Sequence, residues 1–133
     1  MSESENVEIL KGAYAAFSRG DIAGLLQMHA PDAEQDFPAV KDLPWAGSQH
    51  GHAEISRFFD ILAQAEEVLD FRQSEFIAQR DRVVVLGTYR ARVKSTGRVW
   101  ESPFVHTVTM RDGKIQKLEA YFDTNAAAEA YRK

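Results

Sequence analysis

Cysteine is absent from the 133 residues. Disulfides are therefore excluded, as are thiolate metal ligands and thiolate nucleophiles. The absence fits a reducing compartment without requiring one. No apolar run approaches the roughly 20 residues that span a bilayer. Residues 1–8, MSESENVE, are polar and acidic, which is unlike a signal peptide. The expectation is a cytoplasmic protein with no membrane partner. Clustered positive charge is missing too. Sixteen Lys and Arg face 20 Asp and Glu, for a net charge of −4, and both signs are scattered. With no basic stripe to follow a phosphate backbone, the chain does not read as a nucleic-acid binder. Internal repeats and low-complexity segments are also lacking.

What is present suits one domain over residues 1–133. A chain of this length buries roughly two-thirds of its unfolded surface, enough for a core and one internal pocket. From Glu5 to Arg19, Val7, Leu10, Tyr14 and Phe17 recur at spacings of three and four, which predicts a helix with one apolar stripe. Gly20 ends it. Asp21 caps a second helix carrying Ile22, Leu25, Leu26 and Met28, and Pro31-Asp32 breaks it. A short strand over 33–37 follows. Residues 38–51, PAVKDLPWAGSQHG, form the longest irregular stretch, and Trp45 within it argues for order with the indole packed inward. Gly51 opens a third helix with Ile55, Phe58, Phe59 and Leu62 on one face.

Four β-rich segments then run over 68–79, 82–95, 98–110 and 114–123. Their turns fall at Arg80-Asp81, Thr96-Gly97 and Asp112-Gly113. Connections this short make neighbours antiparallel. An alanine-rich helix over 125–132 ends the chain. The order α-α-β-α-β-β-β-β predicts an α+β fold. Its long antiparallel sheet should curl around the helices as a cone with an internal pocket.

The stretch from Gly97 to Asn125 concentrates the chemistry. Asp112-Gly113 between β-rich runs signals a type I′ hairpin. That hairpin sets His106, flanked by Phe104-Val105 and Thr107-Val108, beside the strand that ends in Tyr121-Phe122-Asp123. His106 could be an acid/base group or a donor to a carbonyl oxygen. Its ordinary alternative is a half-buried histidine satisfied by a neighbouring strand. Asp123 could be a general acid or base whose carboxyl is raised by apolar neighbours. Its ordinary alternative is the N-cap of the last helix.

Further motifs join these: Tyr14-Ala15-Ala16-Phe17-Ser18-Arg19-Gly20-Asp21, Pro44-Trp45-Ala46-Gly47, Gly51-His52-Ala53-Glu54-Ile55, Asp81-Arg82-Val83-Val84-Val85-Leu86-Gly87 and Arg111-Asp112-Gly113-Lys114-Ile115. With Phe104-Val105-His106 and Tyr121-Phe122-Asp123-Thr124, they resemble the SnoaL-like, ketosteroid-isomerase-like branch of the nuclear transport factor 2 (NTF2) superfamily. The resemblance implies an NTF2-like, cystatin-like cone. That fold hosts isomerases, cyclases, epoxide hydrolases, dehydratases and non-enzymatic binding modules, so it does not fix an activity. Aligned on Gly20, the isomerase base position falls on Phe37, its tyrosine on Ala13 beside Tyr14, and its acidic oxyanion residue on His106. The Arg-x-Asp pair of limonene-epoxide-hydrolase relatives falls on Thr88 and Arg90. Their later aspartate matches Asp123, as does the strand-end aspartate of SnoaL-type cyclases.

These readings converge on cofactor-free acid/base chemistry on a small, largely apolar organic molecule, of isomerase, cyclase, dehydratase or hydrolase type. Asp123 would move the proton and His106 would stabilise or relay charge. Trp45, Phe37, Tyr14 and Tyr121 would shape the pocket. Arg90 would anchor an anionic group if its parity with Thr88 points it inward, although a cross-strand pair with Glu101 is its simpler role. The alternative is a non-catalytic ligand-binding or dimeric scaffold module. His50 and His52 flank Gly51, but no third ligand has a matching spacing, so neither metal nor cofactor is expected.

The strands carry apolar residues at both parities. Val83, Val85, Tyr89, Ala91 and Val93 oppose Val84 and Leu86, while Leu118, Ala120 and Phe122 oppose Ile115 and Tyr121. A water-facing side would alternate to polar residues. An apolar sheet face invites two-fold packing, which buries the same patch twice. The expected outcome is a homodimer through the sheet, with light scattering at micromolar concentration giving about twice the 15.0 kDa chain mass. A clean monomer would refute it.

Overall fold

The computed structural model describes residues 1–133. Helix α1 spans Glu3–Ser18 and begins with a capping box, in which Ser2 Oγ accepts from the Glu5 N–H and the Glu5 carboxylate takes the Ser2 N–H. Asp21 caps α2, Ile22–Gln27, by accepting from the Gly24 N–H. Strand β1 (His29–Phe37), strand β2 (Gly47–His50) and helix α3 (Gly51–Ala65) follow. A meander comes next: β3 (Glu66–Gln79), β4 (Arg82–Val93), β5 (Val99–Arg111) and β6 (Lys114–Phe122). Helix α4, Thr124–Tyr131, closes the chain. The strands form one curved, open sheet in the order β2-β1-β6-β5-β4-β3. β1 runs parallel to β6, and every other neighbour is antiparallel. No helix is long and apolar enough to cross a membrane.

The α+β class and the hairpin are as expected. Asp112 and Gly113 both have positive φ, 52° and 75°, as a type I′ turn requires. Three expectations need correction. Pro31-Asp32 is not a break between elements, because β1 already begins at His29. Its register to β6 shifts between His29 and Glu34, and such a bulge tolerates proline. The stretch 38–51 is not irregular throughout: Gly47–His50 turns back to pair with β1, so the sheet has six strands rather than the five the sequence suggests. The third concerns Ile115. Its parity assigns it to the Tyr121 side, yet it is 2 % exposed. Met110 pairs with Ile115 while Thr109 pairs with Lys117, so β6 holds one extra residue at Gln116. One added residue exchanges the two faces of a strand.

Along β5, Trp100, Ser102, Phe104, His106, Val108 and Met110 are buried at every second position. They share the concave face with Val83, Val85, Ala91 and Val93 of β4. That face packs against Leu10, Ala13 and Tyr14 of α1 and Phe58 of α3. The outward face carries Val84, Leu86 and Val105, half-buried, with Tyr121 and Ile77 exposed, beside the polar Thr107 and Glu119.

Gly87 sits at a crowded point of this sheet. It pairs with Gln73 where the β3 register shifts and with Phe104 on the other side. A Cβ there would overlap the Arg72 carbonyl oxygen and come within 2.6 Å of the Phe104 ring. A backbone oxygen shifts less cheaply than the far end of a side chain. Gly87→Ala is expected to cost about 3 kcal/mol in urea unfolding, and a loss well under ~1 kcal/mol would show that the β3 bulge yields instead.

Candidate functional site

Between the concave sheet face and the helices lies a cavity of about 120 Å³. Seventeen of its 20 lining residues are hydrophobic and none is Asp, Glu, Lys or Arg, so charge is poorly solvated inside. Much of the wall is aromatic and edge-packed. Phe71 meets Tyr14 at 5.7 Å and 72° and Tyr89 at 5.5 Å and 82°.

Two side chains from distant parts of the sequence meet here. Tyr14 comes from the inner stripe of α1, and His106 from the inward parity of β5. The Tyr14 hydroxyl lies 2.7 Å from His106 Nδ1, with the rings 12° from parallel. Phe104, Phe71 and Phe37 surround the imidazole at ring distances of 4.5, 6.4 and 6.5 Å. Burial pushes His106 down to about 3 and pushes the Tyr14 phenol up. Both are neutral at pH 7. A phenol is the better donor and a neutral imidazole nitrogen the better acceptor, so Tyr14 O–H donates to Nδ1 and the ring proton resides on Nε2. No protein group bonds that Nε2.

Behind the cavity wall made by Trp45, Tyr89 and Trp100, and not lining it, stands a buried carboxylate. Glu66, 3 % exposed, begins β3. Its Oε1 accepts from the Tyr89 hydroxyl at 2.6 Å. Its Oε2 accepts from Tyr131 at 2.5 Å, Trp100 Nε1–H at 3.0 Å and Trp45 Nε1–H at 3.2 Å. Burial raises both tyrosines, and the Glu66 charge raises them further. Trp45 and Trp100 stack 10° from parallel and line the cavity with Tyr89. The remaining polar lining is His29 and Gln35 of β1. Gln35 donates to the Gln49 side chain at 2.9 Å.

Of the residues singled out from the sequence, His106, Tyr14, Phe37 and Trp45 line this cavity. Asp123, Tyr121 and Arg90 do not. The expectation that Asp123 faces inward is corrected. The chain leaves the sheet after Phe122, and the Asp123 carboxylate turns back to accept from the Ala126 N–H at 3.0 Å as the exposed N-cap of α4. Its backbone N–H donates to Ser102 Oγ at 2.8 Å. Tyr121 is 51 % exposed because it lies at the parity opposite Phe122. Arg90 does share the side of Thr88, but that side is the outer one, where it stands across from Glu101 and Asp70. His50 sits 3.5 Å from Glu34, while the His52 ring bonds the His29 carbonyl oxygen at 3.0 Å. Their rings therefore serve different partners. Glu66, Tyr89, Trp100, His29 and Gln35 carried no motif; only inward parity marks Trp100 and Tyr89.

The fold finds counterparts among known proteins. The chain belongs to the SnoaL-like domain family, which matches residues 10–118. An uncharacterised protein of Mycobacterium tuberculosis is 29 % identical over 98 % of both chains. An NTF2-like protein from Burkholderia xenovorans is 38 % identical, covers 99 % of both chains and superposes with a TM-score of 0.91. TerC, crystallised with polyporic acid, is 34 % identical over 97 % of this chain and 99 % of its own, with a TM-score of 0.84.

The neutral His106 links the site to stability. The unfolded ring titrates near 6.5 and the folded one at about 3, so between these values the unfolded state binds the extra proton. The contribution is complete above pH 6.5 and is lost as pH falls towards 3. Urea unfolding should show about 2 kcal/mol less stability at pH 5 than at pH 7 from this group. His29, also lowered by burial, adds to the slope. His106→Phe should flatten the dependence, and an equally steep profile in that variant would refute the assignment.

Proposed function

We propose that this chain is a cofactor-free enzyme of acid/base type. Its substrate is a small, neutral, largely apolar carbonyl compound held in the cavity for isomerisation, cyclisation, dehydration or hydration. One observation carries the reading: the Tyr14–His106 pair presents an unpartnered Nε2–H in a space that is otherwise almost wholly apolar. A substrate carbonyl oxygen accepts from that N–H. As negative charge develops on the oxygen, the bond strengthens in surroundings that offer little competing solvation. Burial opposes both a tyrosinate and an imidazolium here, so the pair stays neutral and acts as a hydrogen-bond donor rather than giving up its proton. Tyr14 fixes the tautomer and the ring orientation. Asp123, exposed and held as a cap, takes no part.

TerC makes polyporic acid a natural first probe for this chain. A second reading, a non-catalytic module whose cavity binds a small ligand or is simply filled by its own rings, is favoured by the cavity volume. About 120 Å³ is below the roughly 150 Å³ of an apolar cavity that accepts benzene. In either case two copies would pair through the outward sheet face around Val84, Leu86, Val105 and Tyr121.

The test begins with thermal shifts in polyporic acid, cyclohexanone and cyclohexene oxide. It continues with deuterium uptake α to the cyclohexanone carbonyl, followed by proton NMR. His106→Phe should slow uptake on the order of 10²–10³-fold in folded protein, and Tyr14→Phe should slow it less. Undiminished uptake in His106→Phe would sink the enzymatic reading. Binding without uptake in any form would favour the binding module.

A further inference from the structure

A second imidazole lines the cavity and is not used by the Tyr14–His106 pair. His29 opens β1, opposite Ile115 of β6, and is 5 % exposed. Its Nδ1 lies 2.9 Å from the Leu25 carbonyl oxygen in α2. A carbonyl oxygen only accepts, so Nδ1 carries the proton and the Nε2 of the neutral ring holds a lone pair. No protein group bonds that Nε2. Neither it nor His106 Nε2 is a sealed atom without a partner; the only such side-chain atoms are Asn6 Oδ1 and Gln116 Oε1. Exchanging the two ring nitrogens would break the bond to Leu25. The backbone of His29 is pinned as well, because its own carbonyl oxygen takes the His52 bond. One cavity therefore holds two neutral imidazoles of opposite character. His106 offers a proton and His29 offers a lone pair.

We infer that His29 is the proton-accepting residue of this cavity, its Nε2 taking a proton from a ligand whose carbonyl oxygen is held by His106. The inference rests on the function proposed above and narrows the ligand to a neutral carbonyl compound with an acidic hydrogen. In the step, a C–H bond next to the carbonyl breaks and its proton passes to His29 Nε2. The bonding pair forms a carbon–carbon double bond, and the carbonyl pair moves to oxygen, giving an enolate that accepts from His106 Nε2–H. The His29 imidazolium then returns the proton to carbon or to oxygen, so nothing is oxidised or reduced. Burial, partly offset by the Leu25 bond and reinforced by nearby His52, holds His29 below its ordinary range, so the lone pair is available at neutral pH. Its Nδ1–H bond to Leu25 strengthens when the ring is charged.

Two measurements test this on the full chain. In ¹⁵N-histidine-labelled protein at pH 7 without ligand, His29 should show a protonated Nδ1 and a bare Nε2, and His106 the reverse. A His29 with its proton on Nε2, or already cationic, overturns the inference without any substrate. The second measurement is deuterium uptake by cyclohexanone in His29→Asn, which keeps a donor for Leu25 and lacks the Nε2 lone pair. Uptake should fall at least ~100-fold while cyclohexanone binding persists. Uptake retained in His29→Asn but lost in His106→Phe overturns the role of His29 and leaves the His106 reading intact. Uptake retained in His106→Phe removes that reading whatever His29 does.

Discussion

Glu66 holds the wall of the cavity together. A buried carboxylate without partners is costly, and this one is given four donors from β4, β5, the loop between β1 and β2, and α4. Hydrogen bonds to a charged group contribute about 1.5–3 kcal/mol each. Their larger effect is organisation, because segments up to 65 positions away must arrive together for any one of them to be satisfied. The loop carrying Trp45 has no strand of its own, and its indole is tethered to Tyr131 at 2.8 Å as well as to Glu66. The same bonds keep Trp45 and Trp100 stacked. The aromatic end of the cavity is therefore set before any ligand arrives.

That fixed wall gives the other end its chemistry. Phenyl and indole rings exclude water and offer no counter-charge, so imidazoles placed among them stay neutral. A neutral imidazole is a poor ion-pair partner but a well-defined donor or acceptor, and its outer bond decides which. Tyr14 makes His106 a donor, and the Leu25 carbonyl makes His29 an acceptor. The two share a residue type, and what is bonded to Nδ1 sets their opposite character.

Residues governed by short periodicity were legible in the sequence. Tyr14 lies on a three-and-four stripe and His106 on a two-residue alternation, and both patterns survive folding. Residues governed by register were not. Arg90 and Thr88 do share a side, but which side faces the helices depends on pairings across β3 and β5. Ile115 changed faces through a single bulge at Gln116, which no composition announces. Strand β2 is only four residues, Gly-Ser-Gln-His, and is held by β1 rather than by its own propensity. Asp123 was ambiguous for a local reason: the last residue of a strand and the cap of the next helix occupy the same position, and the cap geometry won. Glu66 lay beyond reach, because a glutamate after Ala65 reads as surface until its four donors are known.

The anchoring by Glu66 also sets where the cavity can grow. Trp45, Trp100 and Tyr89 cannot turn aside without abandoning bonds to a buried carboxylate, which would then be left with unmet acceptors. Phe37, Phe58, Phe59 and Phe71 have no such tether and are held by ring packing alone, with Phe37 on Phe58 at 4.7 Å and Phe58 against Phe59 at 5.1 Å. Aromatic pairs of this kind contribute about 0.5–1.5 kcal/mol beyond their buried area, less than the loss of a buried charged hydrogen bond. A ligand too large for 120 Å³ must therefore displace phenyl rings rather than indoles. Two of those phenyls, Phe37 and Phe71, lie against His106. The space opened by their displacement adjoins the imidazole, so enlargement of the cavity brings a bound molecule towards the hydrogen-bond donor rather than away from it.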